Sequence, residues 1–379
     1  MNNNKTCIYP GSFDGLTYGH LDIIHRACTT FDKVIVAVGN NPSKTYTFNL
    51  EDRIKHIKNT VKFPEKIEVK SFYGLLADFA YEENVKVIIK GVRNNQDFDY
   101  ERLLHDVTIT QQSGIDTHIL ISNPKLSHIS SSAAKEICKY QGLLHEYVPY
   151  SIKQALEFKL NKQYIIGITG EIGMGKSYIS NLIYTFFDGA LVRNIDLDVI
   201  ANELYTRTEP VYLELRDQIC DTFDVYDEIN NCVNKKKLGE IVFGDKDALT
   251  KLNELVRIPI LTLIRKSIIN KPGLILLNGA LLVEANFLSL CNNNIIVVKS
   301  DKDVQFKNLR YRGLSEEQIT RRINSQFSTE KKINIIKKSI EDNNNHGKLY
   351  EFENDFTDKL NKNLYKLKDS LTLDFDSNK

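Results

Sequence analysis

The chain predicts two consecutive α/β units, each built on a parallel sheet, and three observations lead there. Short apolar runs alternate with amphipathic helical stretches from residue 5 to about residue 160, as expected of strands buried on both faces and linked by covering helices. A second series begins at residue 163, where Tyr164-Ile165-Ile166-Gly167-Ile168-Thr169 runs straight into Gly170-Glu171-Ile172-Gly173-Met174-Gly175-Lys176-Ser177. At 379 residues the chain is long enough for two domains, each with its own core. The expected boundaries are 1–160 and 163–379.

In the first half the strand candidates are Thr6–Tyr9, Val34–Val38, Ile67–Val69, Val85–Ile89 and His118–Ile121. This alternation is Rossmann-like, and ligands of such sheets sit beyond the carboxyl ends of the strands. Polar or glycine-bearing segments stand there. They are Tyr9-Pro10-Gly11-Ser12-Phe13-Asp14 with Thr17-Tyr18-Gly19-His20 opening a helix, then Asn41-Pro42-Ser43-Lys44, Lys90-Gly91-Val92-Arg93 and Ser130-Ser131-Ser132. A histidine at a helix start can donate to a phosphate at the positive helix end. Taken singly, His20 also reads as a surface or capping residue, Lys44 as a solvated lysine, Gly91 as a strand-ending glycine and Ser130 as a plain N-cap. Cations and hydroxyls after four strands of one sheet are more than a bland surface needs.

With Asp97-Phe98-Asp99-Tyr100-Glu101 added, these segments resemble bacterial phosphopantetheine adenylyltransferase over residues 5–160, in order and in spacing. The resemblance implies adenylyl transfer from ATP to 4′-phosphopantetheine, giving dephospho-coenzyme A and pyrophosphate. The nucleophile is a phosphate monoester, already anionic at neutral pH, so positioning and charge neutralisation are needed rather than a general base. The resemblance further implies that Ser12 and His20 contact the transferring phosphate, and that Lys44 stabilises the transition state and helps place phosphopantetheine. Arg93 with Ser130, Ser131 and Ser132 would hold the ATP phosphates, and Gly11, Phe13, Gly91 and Glu101 would complete the ATP site. Phe72-Tyr73-Gly74-Leu75-Leu76 falls where the pantetheine arm runs, with Leu76 as a substrate contact, although Leu75 and Leu76 also read as core. The family has Arg where this chain has Lys90, also a substrate-binding candidate. Lysine cannot make the bidentate phosphate contact, so weaker substrate binding is expected rather than loss of activity. Leu126 replaces an aromatic residue often found before the serine run, a change that bears on feedback binding of coenzyme A.

Pro149–Leu160 reads as a helix, with Ile152, Ala155, Leu156 and Leu160 apolar, and only a short polar bridge precedes the next strand. No flexible Gly/Ser/Pro linker is present, so the two domains are expected to lie close. Residues 170–177 fit G-x-x-x-x-G-K-[ST], the phosphate-cradling loop, with a strand before and a helix, Ser177–Phe187, after. Gly170, Gly173 and Gly175 let backbone N–H groups converge on an anion, Lys176 would reach the β- and γ-phosphates of ATP, and the Ser177 hydroxyl would hold Mg²⁺. Ile195-Asp196-Leu197-Asp198 places two carboxylates at a strand end, suited to Mg²⁺ or a substrate hydroxyl; the same pattern also reads as a helix N-cap. Further strands are expected at Gly273–Leu277 and Ile295–Val298, then a helix at Asp301–Arg312. A capping-box signal at Ser315 restarts a helix ending near Arg321-Arg322-Ile323-Asn324-Ser325-Gln326. This arginine-bearing pair reads as a kinase lid or as an ordinary basic surface.

The order of these pieces resembles dephospho-coenzyme A kinase across about residues 163–365, carried by Gly170–Ser177, Asp196-Leu197-Asp198, Leu281-Leu282-Val283-Glu284, Arg312-Gly313-Leu314-Ser315 and Arg322-Ile323-x-x-Gln326. It implies a P-loop kinase fold with a helical lid that phosphorylates the ribose 3′-hydroxyl of dephospho-coenzyme A. Asp198 matches the catalytic carboxylate, also bound to the acceptor, and Lys176 and Arg312 would stabilise the moving phosphoryl group. The family's Leu-x-His-Pro acceptor segment reads Leu255-Val256-Arg257-Ile258, and its aspartate and proline before Leu-Leu read Asn278 and Ala280. The product of the first reaction is the substrate of the second, so a bifunctional enzyme of the last two steps of coenzyme A synthesis is expected. The alternatives are an active adenylyltransferase joined to a kinase for another nucleoside, or to a module that only binds nucleotide.

Lys+Arg at 50 against Asp+Glu at 49 leaves a net charge of +1, which implies neither a nucleic acid nor an anionic membrane as partner. Small molecules, 4′-phosphopantetheine, dephospho-coenzyme A and ATP, are the partners expected. The first family commonly forms hexamers, so the resemblance also implies a homo-oligomer. Cysteines 7, 28, 138, 220, 232 and 291 lie far apart with no C-x-x-C, which reads as reduced thiols in a cytoplasmic protein. No apolar leader or 18-residue apolar run occurs. The asparagine clusters at 292–294 and 343–345 read as solvated loops.

Overall fold

The first apolar run forms β1 (Thr6–Gly11) and lies in parallel beside β2 (Lys33–Gly39), with Ile8 opposite Ile35. The computed structural model describes residues 5–187, 191–227, 232–242, 244–354 and 358–376. Two compact units are present, Met1–Leu160 and Asn161–Lys379.

In the first unit α1 (Tyr18–Thr30), α2 (Leu50–Thr60), β3 (Ile67–Phe72), α3 (Leu76–Glu82), β4 (Val87–Val92), α4 (Asn95–Thr110), β5 (Asp116–Ile121), α5 (Ser131–Lys139) and α6 (Tyr150–Leu156) follow in order. The strands make one parallel sheet in the order β3-β2-β1-β4-β5. The order reverses between β1 and β4, and a ligand crevice is expected at that point. Helix starts follow the chemistry of their residues. Thr17 caps α1 in a capping box with His20, Asn49 caps α2, Asn94 caps α4 and Ser130 caps α5. Lys90, Gly91 and Val92 belong to β4 itself rather than to a loop beyond it. The helix expected through Leu160 loosens into a π-turn at Glu157–Asn161.

The second unit runs β6 (Gln163–Thr169), α7 (Lys176–Phe186), β7 (Val192–Asp196), α8 (Leu197–Glu203) and α9 (Pro210–Phe223). A short antiparallel pair, β8 (Tyr226–Asp227) and β9 (Cys232–Val233), is followed by α10 (Lys235–Val242), α11 (Lys246–Ile268) and β10 (Gly273–Asn278). The unit closes with β11 (Ile295–Lys299), α12 (Lys302–Tyr311), α13 (Glu316–Asn324), α14 (Thr329–Asp342), β12 (Leu349–Glu353) and α15 (Asp358–Asp376). Its five-stranded parallel sheet has the order β12-β11-β6-β10-β7. Every residue of central β6 is buried, as a parallel strand covered on both faces requires. Leu360, Leu364, Leu367 and Leu371 recur at helical spacing on α15 and close this core.

The Asn292–Asn294 cluster corrects an expectation: all three residues are buried. Asn292 and Asn293 adopt left-handed φ of 52° and 60°, which asparagine tolerates. The Asn293 amide donates to the Ser339 carbonyl at 3.0 Å and accepts from the Ser339 hydroxyl at 2.8 Å, so it braces β11 against α14. Among the described residues Cys7, Cys28, Cys138, Cys220 and Cys291 are buried and form no disulfide; the Cys232 side chain lies outside them. No described helix is long and apolar enough to cross a membrane.

Candidate active sites

A cavity of about 340 Å³ opens at the reversal between β1 and β4, lined by His20, Gly91, Arg93, Glu101, Ser130 and Ser131 among others. Ser12 and Lys44 line a separate cavity of about 420 Å³ with Asn40 and Tyr46. Leu76 and Lys90 line a third, of about 170 Å³, together with Glu101. Two of the candidate residues are engaged within the protein. Lys90 pairs with Glu101 at 2.8 Å, and Arg93 is held by Asp97 at 2.8 and 3.2 Å while donating to the Ile129 carbonyl at 3.2 Å. Phe13 is fully buried with φ of 50°, its ring edge-on to His20 at 5.3 Å and packed in the core. Gly11 and Ser132 line none of these three cavities.

His20 has a defined proton arrangement. Its Nδ1 accepts the backbone N–H of Thr17 at 3.1 Å, which leaves the proton on Nε2. Burial, with Arg93 adding like charge, pushes its pKa down to about 4. It is thus a neutral donor at physiological pH.

Two residues absent from the sequence-based set, Asp14 and Arg53, anchor this site together with Ser131 of that set. Asp14 is buried, accepts the N–H groups of Thr47 and Phe48 at 2.9 Å each, and pairs with Lys135 of α5. Burial alone would raise its pKa; the Lys135 bond and the two N–H groups outweigh that and hold it below the ordinary value. Fully buried Arg53 donates to the Ser12 carbonyl at 2.8 Å, the Gly39 carbonyl at 3.0 Å and Asn40 Oδ1 at 2.9 Å, and stacks on Tyr46 at 4.0 Å. The Ser131 hydroxyl donates to the Gly15 carbonyl at 2.7 Å. The Ser12 turn, the Lys44 loop and the Ser130 helix start are thereby fixed to one another. Arg53 sits four residues after Asn49 in an ordinary-looking helix sequence, so nothing in the pattern marks it as buried.

In the second unit one cavity of about 420 Å³ gathers Gly173, Gly175, Lys176, Ser177, Asp196, Asp198, Arg312 and Arg322. The P-loop glycines are sterically required at two points. A Cβ on Gly170 (φ 145°) would stand 2.4 Å from the Val298 carbonyl oxygen, and one on Gly175 (φ 90°) 2.1 Å from the Asn354 amide. Lys176 Nζ donates to the carbonyls of Gly170 and Glu171 at 3.1 Å each. Asp196 is the N-cap of α8, accepting from the N–H groups of Asp198 and Val199 at 2.9 and 3.2 Å, and it lines the cavity as well. Burial pushes the Lys176 pKa down to about 8, against the pull of Asp198. Asp198 is exposed at the cavity wall; the protein around it strips enough solvent, and Asp196 adds enough like charge, to raise its carboxyl above the ordinary value.

The segment Arg312–Gln326 restarts a helix at the expected cap. Ser315 and Gln318 form the capping box of α13, and Gln326 Oε1 accepts the P-loop N–H of Ile172 at 2.9 Å. Leu255–Ile258 lies inside α11, with Pro259 one residue further along the same helix, and none of these residues lines the P-loop cavity. Arg257 instead donates to the Ala285 carbonyl at 3.0 Å. A network behind the P-loop carries no local sequence signal. Fully buried Lys332 pairs with Glu284 at 2.6 Å and donates to the Ala280 carbonyl at 2.7 Å, while Glu171 accepts from Thr329 at 2.8 Å.

A parallel sheet with a helix-start histidine at its reversal, and a second sheet with a complete phosphate loop, define a two-site nucleotide-dependent transferase. The family matched at residues 164–348 is described as Dephospho-CoA kinase, and the one at residues 8–137 as Cytidylyltransferase-like. The phosphopantetheine adenylyltransferase of Caldanaerobacter subterraneus is 42% identical over 158 residues, which are 42% of this chain and 99% of that protein. That of Clostridium perfringens is 42% identical over 164 residues, 43% of this chain and 97% of that protein. A crystal structure of TT1252 from Thermus thermophilus is 20% identical, covers 56% of this chain and 97% of that one, and superposes with a TM-score of 0.42. The chain belongs to the phosphopantetheine adenylyltransferase family through its N-terminal part and carries a dephospho-CoA kinase domain after it.

Proposed function

We propose that the two sites run consecutive reactions, adenylyl transfer to 4′-phosphopantetheine in the first unit and 3′-phosphorylation of the resulting dephospho-coenzyme A in the second. The observation that supports this most strongly is the single cavity holding Lys176, Ser177, Asp198 and Arg312 in a chain whose first part belongs to the adenylyltransferase family. On this reading residues 1–160 and 163–379 are the two catalytic domains, and α12 and α13 act as the lid of the second.

In the first reaction a phosphate oxygen of phosphopantetheine bonds to the α-phosphorus of ATP as the bond to pyrophosphate breaks. His20 Nε2–H donates to the phosphoryl oxygen that gains charge, and Ser12 and Lys44 guide the incoming phosphate. Ser130, Ser131 and Arg93 hold the leaving phosphates, which requires Arg93 to exchange part of its hold on Asp97 for phosphate. In the second reaction the ribose 3′-oxygen bonds to the γ-phosphorus, its proton passes to Asp198, and ADP leaves. Lys176 and Arg312 offset the charge on the moving group. Ser177, Asp196 and Asp198 supply hard oxygens at one cavity wall, a donor set that fits Mg²⁺ shared with phosphate. Magnesium there would neutralise the β- and γ-phosphates.

The same reading places the enzyme in the cytoplasm, where these substrates are used, and as a homo-oligomer. For the latter, α4 buries no residue of its own, and Tyr100, Leu103, Val107 and Ile109 are exposed along it. Sedimentation should find an assembly larger than a monomer, and Leu103→Glu should dissociate it.

Purified chain given Mg-ATP and dephospho-coenzyme A should release ADP and coenzyme A. Release of ADP without coenzyme A would sink the kinase assignment. The departures at Leu255–Ile258 favour no other acceptor, since that segment stands away from the cavity wall.

A further inference from the structure

Beside the P-loop cavity, α10 and α13 enclose a groove of about 260 Å³ lined by Lys235, Lys236, Arg321 and Arg322 against Glu240 and Glu317. Glu317 is taken up by Arg321 at 2.6 Å, so the remaining charge on this wall is positive. Among the described residues neither Lys235 nor Lys236 lies within ion-pair distance of a carboxylate, whereas neighbouring Lys237 pairs with Asp224 at 3.0 Å. Both ammonium groups line one groove without a carboxylate partner among the described residues, which leaves their charge available to an anion.

The groove joins the catalytic cavity through two residues. Arg322 lines both. Lys235 donates to Asn202 Oδ1 at 3.3 Å and lies 5.2 Å from the Tyr205 ring, and Asn202 and Tyr205 belong to the P-loop cavity wall. Asn202, within α8, in turn donates to the Asp198 carbonyl at 3.0 Å, so this end of the groove adjoins the Asp198 turn. The basic groove thus meets the cavity at Arg322 and at the Asn202 end of α8, next to Asp198.

We infer that Lys235 and Lys236 form the binding site for the 5′-diphosphate of the acceptor nucleotide. The inference rests on the kinase reading above. An acceptor whose ribose 3′-hydroxyl faces Asp198 carries its diphosphate one ribose away, on the side remote from the γ-phosphate of ATP. A wall of lysines reached through Arg322 supplies the counter-charge there, and a flexible ammonium tolerates the torsional freedom of a diphosphate linker. The lysine pair thus selects for an acceptor bearing phosphate on its 5′ side, independently of the donor triphosphate.

The full-length Lys235→Gln/Lys236→Gln variant tests this in steady-state assays with Mg-ATP and dephospho-coenzyme A. KM for dephospho-coenzyme A should rise about tenfold or more, its dependence on salt should flatten, and kcat and the KM for ATP should stay within about twofold. Lys235→Arg/Lys236→Arg should restore the KM. Because Lys235 also touches Asn202 and Tyr205, Lys236→Gln alone is the cleaner probe, and it should raise the same KM by a few fold. An unchanged acceptor KM, an equal rise in the KM for ATP, or a loss confined to kcat would each overturn the inference while leaving the kinase assignment standing. Wild-type protein that neither binds nor phosphorylates dephospho-coenzyme A would overturn both.

Discussion

In the first unit the central side chain, His20, is kept neutral: its Nδ1 accepts a backbone N–H and its pKa lies near 4. In the second unit charge is concentrated instead, with Lys176 near 8, Asp198 raised, and Arg312 on the same cavity wall. The contrast follows the nucleophiles. A phosphate monoester arrives already ionised, so its site needs donors and a rigid frame, which Asp14 and Arg53 provide through buried hydrogen bonds to the Ser12 turn and the Lys44 loop. A ribose hydroxyl must lose a proton, so its site needs a carboxylate whose basicity has been raised, together with cations to receive the charge.

The comparison breaks most visibly if the sites are not independent. Lys176→Ala should cut coenzyme A formation on the order of 10³-fold or more, while pyrophosphate release from phosphopantetheine and ATP stays within about twofold. Equal loss in both assays would mean that the two chemistries are not separately housed. Asp198→Asn should lower the kinase rate by roughly 10²–10⁴-fold with little change in ATP affinity measured by titration. His20→Ala should lower adenylyl transfer by roughly 10²–10³-fold and spare the kinase.

Smaller effects sharpen the contrast between a framed site and a charged one. Asp14→Asn leaves Lys135 without its partner in a largely buried setting and should cost about 2–4 kcal/mol, read as a lowered melting temperature together with slower adenylyl transfer. Slower transfer with no change in melting would show that Asp14 acts other than as a brace. The pH profiles should differ as well. Lys176 loses its charge as pH rises through about 8, so kcat/KM for ATP in the kinase reaction should fall on the alkaline side. Asp198 gains its proton as pH falls, at a pH above that of an ordinary carboxylate, giving an acid limb. Adenylyl transfer should show no histidine step between about pH 5 and 8, because His20 is neutral throughout that range.

The alternation of strands and helices, the P-loop and the Ser315 cap were legible in the sequence because each is a local pattern with a local physical cause. Gly170–Ser177 needs only its own glycines and hydroxyl to be recognised. Asp14, Arg53 and Lys332 were not legible: a charged residue in a polar stretch reads as solvated, and only the tertiary fold buries it opposite a carbonyl, an N–H or a carboxylate. Asn292–Asn294 misled for the same reason, since asparagine-rich turns look wet until β11 and α14 close over them. The Leu255–Ile258 segment was legible as a departure, but its placement inside α11 and off the cavity wall was not.

The most direct test supplies the purified chain with 4′-phosphopantetheine and excess Mg-ATP, then follows pyrophosphate, ADP and coenzyme A together. Two consecutive sites predict one pyrophosphate and one ADP for each coenzyme A formed, with dephospho-coenzyme A accumulating only when Lys176→Ala replaces the wild type. Wild-type protein that stops at dephospho-coenzyme A and forms no ADP would contradict the account.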